Sequence, residues 1–150
     1  MSAIDLDIVR RKLDRILNSL QPIREAQGLN YDDYLRDEDL HAIMERQLEL
    51  AIGAAMDLNV HLLVCSGFGT PADSFTSFIE LAQHTQAIPV KLAYELAPAT
   101  GLRNRLVHQY DDIDHRQVFD SLYRALDLFP KYIAAIEEHL KRDASPENSR

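Results

Sequence analysis

The chain has little cysteine, little glycine, no long apolar run and a deficit of positive charge, and each shortage narrows what it can be. Its one cysteine, Cys65, cannot form an internal disulfide, and its place in the apolar run LLVCSG makes it a buried small hydrophobe rather than a nucleophile. Five glycines among 150 residues leave little material for the turns of an all-β fold. No stretch approaches the roughly 20 apolar residues that span a bilayer. The opening MSAIDLDIVRRK is acidic where a secretory signal needs a basic end followed by an apolar core. The expected location is the cytoplasm, without a membrane partner. Lys and Arg number 16 against 24 Asp and Glu, a net charge of −8, which excludes broad nonspecific nucleic-acid binding. Any nucleic-acid site must be local.

The residues that are present read as helix. Hydrophobic residues make up 46% and charged residues 27%, enough for one soluble helical domain with a core of its own. Leu6, Val9, Leu13, Ile16, Leu17 and Leu20 recur at helical spacing and predict an amphipathic helix over about 5–21, with Pro22 beginning its exit. The segment QGLNYDDYLRDED has the composition of a surface loop or frayed turn. From about 37 to 65, Leu40, Met44, Leu48, Ile52, Ala55, Asn59 and Leu63 form one row of a helix about 40 Å long, and Glu45, Glu49, Gly53, Asp57 and His61 form the opposite row. SGFGTPAD then supplies glycines for a left-handed cap, with Thr70 as the next N-cap and Pro71 opening a helix whose Phe75, Phe78, Ile79 and Ala82 face inward. Pro89 interrupts, and Pro98 with Gly101 divides the following stretch into two short helices. Asp114 and Gln117 have capping-box spacing, and an apolar stripe runs from Val118 through Leu122, Ala125, Phe129, Ile133 and Ile136 to Leu140, kinked or restarted at Pro130. The expected architecture is all-α: an antiparallel four-helix bundle with one or two short extra helices over residues 1–142, and a disordered tail over 143–150.

Three carboxylate and histidine pairs stand four residues apart: His41 with Glu45, Asp57 with His61, and Glu80 with His84. They fall on polar faces and no second Glu-x-x-His motif completes a ligand set, so they read as solvated pairs and no metal is expected. Tyr31 and Tyr34 read as surface tyrosines, open to contact with a partner. GFGT lacks the lysine of a P-loop and follows a helix rather than a strand.

One segment, RNRLVHQY at 103–110, concentrates cations and an imidazole directly before DDID. Asn104 and His108 share a helical face, whereas Arg103 and His108 stand about 140° apart around an unbroken helix. They converge if the helix ends near Val107 and His108 turns back, or if a second subunit brings its own copy to the same cleft. A helix end whose Arg and His complement the macrodipole is the plainer alternative. Spacing alone leaves these open.

Arg103, His108 and Tyr110 in the context GLRNRLVHQYDDID form R-x4-H-x-Y, with Asn104 after the arginine, and this resembles the HepT-type toxins of the HEPN superfamily. The resemblance extends over roughly 5–142, through the first helix, the long second helix, the PADSFTSFIELAQ helix, the motif and the last helix. Gln109 stands at a variable position where many relatives carry an acidic residue. The resemblance implies a homodimer that pairs two motifs in one cleft and acts as a metal-independent endoribonuclease without a cofactor. Its RNA target would be structured RNA such as tRNA. An imidazole suits the proton transfers and Arg103 the charge on phosphate during attack by the RNA 2′-hydroxyl, with Asn104 orienting His108 or the phosphate and Arg105 guiding the RNA backbone. The partner implied is a minimal nucleotidyltransferase antitoxin that transfers AMP to Tyr110 and switches the site off. A noncatalytic nucleotide- or substrate-binding subunit of a nucleotidyltransferase and a purely structural dimer are the rival expectations.

Overall fold

In the computed structural model, the described residues, 3–108 and 112–144, run through seven α-helices: α1 (Leu6–Glu25), α2 (Tyr31–Arg36), α3 (Glu38–Cys65), α4 (Ser77–Thr85), α5 (Val90–Leu96), α6 (Pro98–His108) and α7 (His115–Asp143). A 3₁₀ turn, Ser74–Thr76, precedes α4, and there is no strand among the described residues. The three longest helices each begin on an aspartate. Amides of Asp7 and Ile8 donate to Asp5, the Leu40 amide to Asp37, and those of Arg116 and Gln117 to Asp114, at 3.0 to 3.3 Å. Each carboxylate satisfies donors that a helix start leaves orphaned and complements the positive end of the dipole.

Helix α3 is the centre of the fold, packed by α1, α2, α4, α6 and α7. It is long and apolar enough by composition to cross a membrane, but 61% of its most apolar window is buried inside the domain, so its apolarity serves the core. Met44, Leu48, Ile52, Ala55, Asn59 and Leu63 of the expected inward row are buried. Helix α1 runs antiparallel to it: Lys12 bonds Asp57 at 2.8 Å, and the Asp5 amide donates to His61 Nε2 at 3.2 Å one turn further along. Helix α7 runs in the same direction as α3, meeting it at Glu45 through His115 and at Ala55 and Asn59 through Tyr132. The three helices between them, α4 to α6, carry the chain back.

Several boundaries differ from those read in the sequence. Pro22 does not end α1, which continues to Glu25 because Ile23 is drawn into the core and a proline removes only one amide from the ladder. Pro130 likewise lies inside an unbroken α7, flanked by buried Phe129, Tyr132 and Ile133. The acidic segment contains a helix, α2, opened by the Asp33 amide donating to Asn30 at 2.9 Å, and Tyr34 is buried at its centre while Tyr31 is half-buried. Thr70 caps nothing. Asp73 does, accepting the Thr76 amide at 3.0 Å, and the delayed start leaves Phe75 exposed. The glycine cap of α3 forms as expected: Gly67 adopts φ +88°, and the amides of Gly67 and Phe68 donate to Val64 and Leu63 at 3.0 Å. Asp143 closes α7, while residues 145–150 of the expected tail lie outside the described residues.

One buried polar network locks α3, α4 and α7 together. The Tyr132 hydroxyl donates to Asn59 Oδ1 at 2.6 Å, and Asn59 Nδ2 donates to Ser77 Oγ at 3.2 Å. All three residues are buried, and burial holds the Tyr132 phenol well above its ordinary pKa, so it stays a donor. Tyr132→Phe removes the donor and leaves the carbonyl of Asn59 dry and unpaired. A loss of about 1–3 kcal/mol is expected in urea unfolding, with no change in helix content at low denaturant.

Candidate active site

Helix α6 carries the motif. Its Leu102 and Leu106 are buried against the bundle, and this anchoring sets the directions of the residues between them. Arg103 is half-buried and lies against α3, where the facing residue is Gly53: a β-carbon there would stand 3.4 Å from Arg103 Nε and 3.9 Å from Nη2. A side chain longer than alanine's at this position would meet the guanidinium where it crosses α3. Arg103 Nε is buried and has no hydrogen-bond partner, an orphaned donor on a permanently charged group. Asn104 is exposed. Arg105 is half-buried on the next face, with Nη1 3.6 Å from where a Gly101 β-carbon would sit. His108 is exposed on the last residue of α6.

The helix runs unbroken through His108, so of the two arrangements that would bring Arg103 and His108 together, the one in which His108 leaves the helix is not observed. Arg103 and His108 therefore point about 140° apart within one chain. Tyr110 lies outside the described residues, as do Gln109 and Asp111. Asp112 is exposed, and Asp114 caps α7, so the second half of DDID is the start of the next helix. A cleft of about 420 Å³ opens beside the motif between α3, α5, α6 and α7, floored by Leu48, Ile52 and Leu102 and rimmed by Arg116 and Arg124, but Arg103, Asn104 and His108 do not line it.

The histidine pairs separate into different roles. Asp57 pairs with Lys12 while His61 accepts the Asp5 amide; Glu80 accepts the Thr76 hydroxyl at 2.9 Å while His84 stacks on Phe68 at 4.7 Å. His41 and Glu45 are not the solvated pair read in the sequence. Their side chains are 14% and 16% exposed, because α2 and the start of α7 cover this end of α3, and His115 joins them with Nδ1 3.1 Å from Glu45 Oε1. Tyr34 stands beside His41, its ring 5.8 Å away, and its hydroxyl is buried without a partner. Burial, and after it the Glu45 carboxylate, hold that phenol well above its ordinary pKa. Spacing identified neither Gly53 nor His115, since each matters only through a residue far away in sequence.

The fold and the motif together define a HEPN-like helical domain. Residues 3–136 match the family described as Ribonuclease HepT-like, and the chain belongs to that family. It is 39% identical over 140 residues to the tRNA nuclease HepT of Aphanizomenon flos-aquae, a match covering 93% of this chain and 95% of that one. It is also similar to the solved structure of a toxin–antitoxin with AMP-PNP, with a TM-score of 0.79 at 26% identity over 88% of this chain and 98% of the other. A tri-AMPylated HEPN toxin of Shewanella oneidensis, solved in complex with its MNT antitoxin, superposes with a TM-score of 0.77 at 25% identity, again over 88% and 98%.

Proposed function

We propose that this protein is the cytoplasmic toxin of a toxin–antitoxin pair, a metal-independent endoribonuclease whose site is completed by a second copy of the chain and silenced by AMPylation of Tyr110. The observation that carries the reading is the orphaned Arg103 Nε, a fixed cation with an unused donor five residues before His108, the exposed last residue of α6. A merely structural arginine, buried to this degree, would satisfy that donor within the fold. Since α6 holds Arg103 and His108 on different faces, a two-fold dimer that sets two α6 ends against each other is the arrangement that brings one chain's arginine to the other's histidine.

The chemistry follows from these groups. The RNA 2′-oxygen attacks the neighbouring phosphorus, the P–O5′ bond breaks, and the products are a 2′,3′-cyclic phosphate and a free 5′-hydroxyl. The His108 imidazole takes the 2′-hydroxyl proton and, as the imidazolium, gives it to the departing 5′-oxygen. Arg103 neutralises the charge that builds on the phosphoryl oxygens, through Nε and its planar fork, in a site partly removed from water. Asn104 orients His108 or the phosphate, and Arg105 tracks the RNA backbone. The relative named as a tRNA nuclease supports tRNA as the substrate.

The tri-AMPylated relative supports the regulation. The cognate nucleotidyltransferase transfers AMP from ATP to the Tyr110 phenol oxygen and releases pyrophosphate. Each unit adds a negative charge and an adenosine two residues from His108, where substrate phosphate must enter. The test uses protein made with and without its neighbouring nucleotidyltransferase. Unmodified protein is expected to cut tRNA in EDTA and leave 2′,3′-cyclic phosphate ends; the modified protein is expected to carry whole AMP increments on Tyr110 and to cut nothing. An unmodified protein that binds the nucleotidyltransferase but leaves RNA intact would instead establish the noncatalytic binding subunit.

A further inference from the structure

We propose that His41, Glu45 and His115 form a binding site for a transition-metal ion, best fitted by Zn²⁺, that ties the start of α7 to α3 and lies outside the proposed catalytic groups. One ligand atom from each residue falls within 4.8 Å of the other two. Glu45 Oε1 stands 3.1 Å from His115 Nδ1 and 3.8 Å from His41 Nδ1. Tetrahedral zinc with bonds of about 2.0–2.2 Å holds its ligand atoms about 3.3–3.6 Å apart, so the two Glu45 distances lie on either side of the required one and small side-chain rotations reach it.

The arrangement leaves one polar group of the three residues unsatisfied. His41 Nδ1 is buried and has no hydrogen-bond partner, since 3.8 Å to Glu45 is beyond bonding range. Buried imidazole nitrogens are ordinarily bonded, and an ion between the three side chains would use this one together with the other two. The rings of His41 and His115 are 4.6 Å apart and inclined at 55°, converging on one carboxylate rather than stacking. His115, 34% exposed, leaves a route of entry.

The donor set selects the class of ion. Two imidazoles and one carboxylate suit Zn²⁺, Ni²⁺ or Cu²⁺, whereas Mg²⁺ and Ca²⁺ take oxygen donors. Three protein ligands leave a fourth position for water. Because His115 is the first residue of α7, the ion would fix the spacing between α3 and the segment that follows His108. A single proton shared between Glu45 and an imidazolium is the alternative occupant.

Chelator-treated full-length protein titrated with Zn²⁺ separates the two. One ion per chain is expected by calorimetry, with a rise in Tm, and Co²⁺ in its place is expected to give the intense visible absorption of a tetrahedral site. His115→Ala and the isosteric Glu45→Gln are each expected to weaken Zn²⁺ binding by more than about 100-fold, the ceiling for changes that touch only a ligand's supporting partners. His84→Ala, which leaves the three residues intact, is expected to bind as wild type. Should His115→Ala fail to fold, Glu45→Gln carries the test. Absence of stoichiometric binding, or binding that persists in Glu45→Gln, overturns the site. The readouts are binding and stability, so neither result bears on whether the protein cleaves RNA.

Discussion

Arg103→Ala and His108→Ala proteins are each expected to lose cleavage by about 10²–10⁴-fold, and a mixture allowed to exchange subunits is expected to recover about one quarter of wild-type activity. The recovery follows from symmetry. In the proposed dimer each of two sites takes Arg103 from one chain and His108 from the other. A mixed dimer of the two variants has one site that lacks both groups and one that keeps both. Random exchange makes about half the dimers mixed, each with one intact site in two. The structural premise is the unbroken helix through His108, which turns the imidazole about 140° from the guanidinium and leaves no route by which one chain aligns them alone. A site built within one chain would give no recovery in any mixture, because both variants would carry one broken copy in every site. Gel-resolved cleavage of labelled tRNA measures the outcome, and light scattering on the same samples shows that exchange has preserved the dimer.

What was legible in the sequence was local. The period of Met44, Leu48, Ile52, Ala55 and Leu63 placed the core helix, and SGFG placed its end, because both signals act within a few residues. The acidic run at 31–36 was misread because its composition is that of a loop; its helix depends on a cap at Asn30 and on Tyr34 finding the apolar space beneath Phe119, whose ring is 5.2 Å away. Pro22 does not end α1 and Pro130 does not restart α7, for the related reason that burial on either side outweighs one lost hydrogen bond. The motif residues were recognisable by type, but their arrangement was not. The spacing left open a helix that ends before His108, and only the packing of Leu102 and Leu106 shows that it continues. His41 and Glu45 were visible as a pair, while His115, some 70 residues away, was invisible as their third member.

Gly53 is the clearest case of a site residue without a chemical group, and it carries the second prediction: Gly53→Leu is expected to lower kcat by about 100-fold while the protein remains folded. Glycine in the middle of a 28-residue helix is unfavourable by about 1 kcal/mol relative to alanine, so its presence at this position answers to something other than helix formation. The guanidinium of Arg103 limits what can replace it: its Nε would lie 3.4 Å from a β-carbon at residue 53, so anything longer than alanine meets it. Alanine fits at that distance with at most a slight adjustment. Gly53→Ala is therefore expected to raise stability by up to about 1 kcal/mol and keep cleavage within a few-fold of wild type. Leucine extends its branch into the volume the guanidinium occupies and pushes Arg103 off α3, and a displacement of about 1 Å in a group that stabilises a transition state costs rate on the order of 100-fold. Urea unfolding and circular dichroism of both variants separate this from simple misfolding: Gly53→Leu should unfold cooperatively near the wild-type midpoint. A folded Gly53→Leu protein that cleaves RNA at the wild-type rate would mean that Arg103 acts without the floor that Gly53 provides.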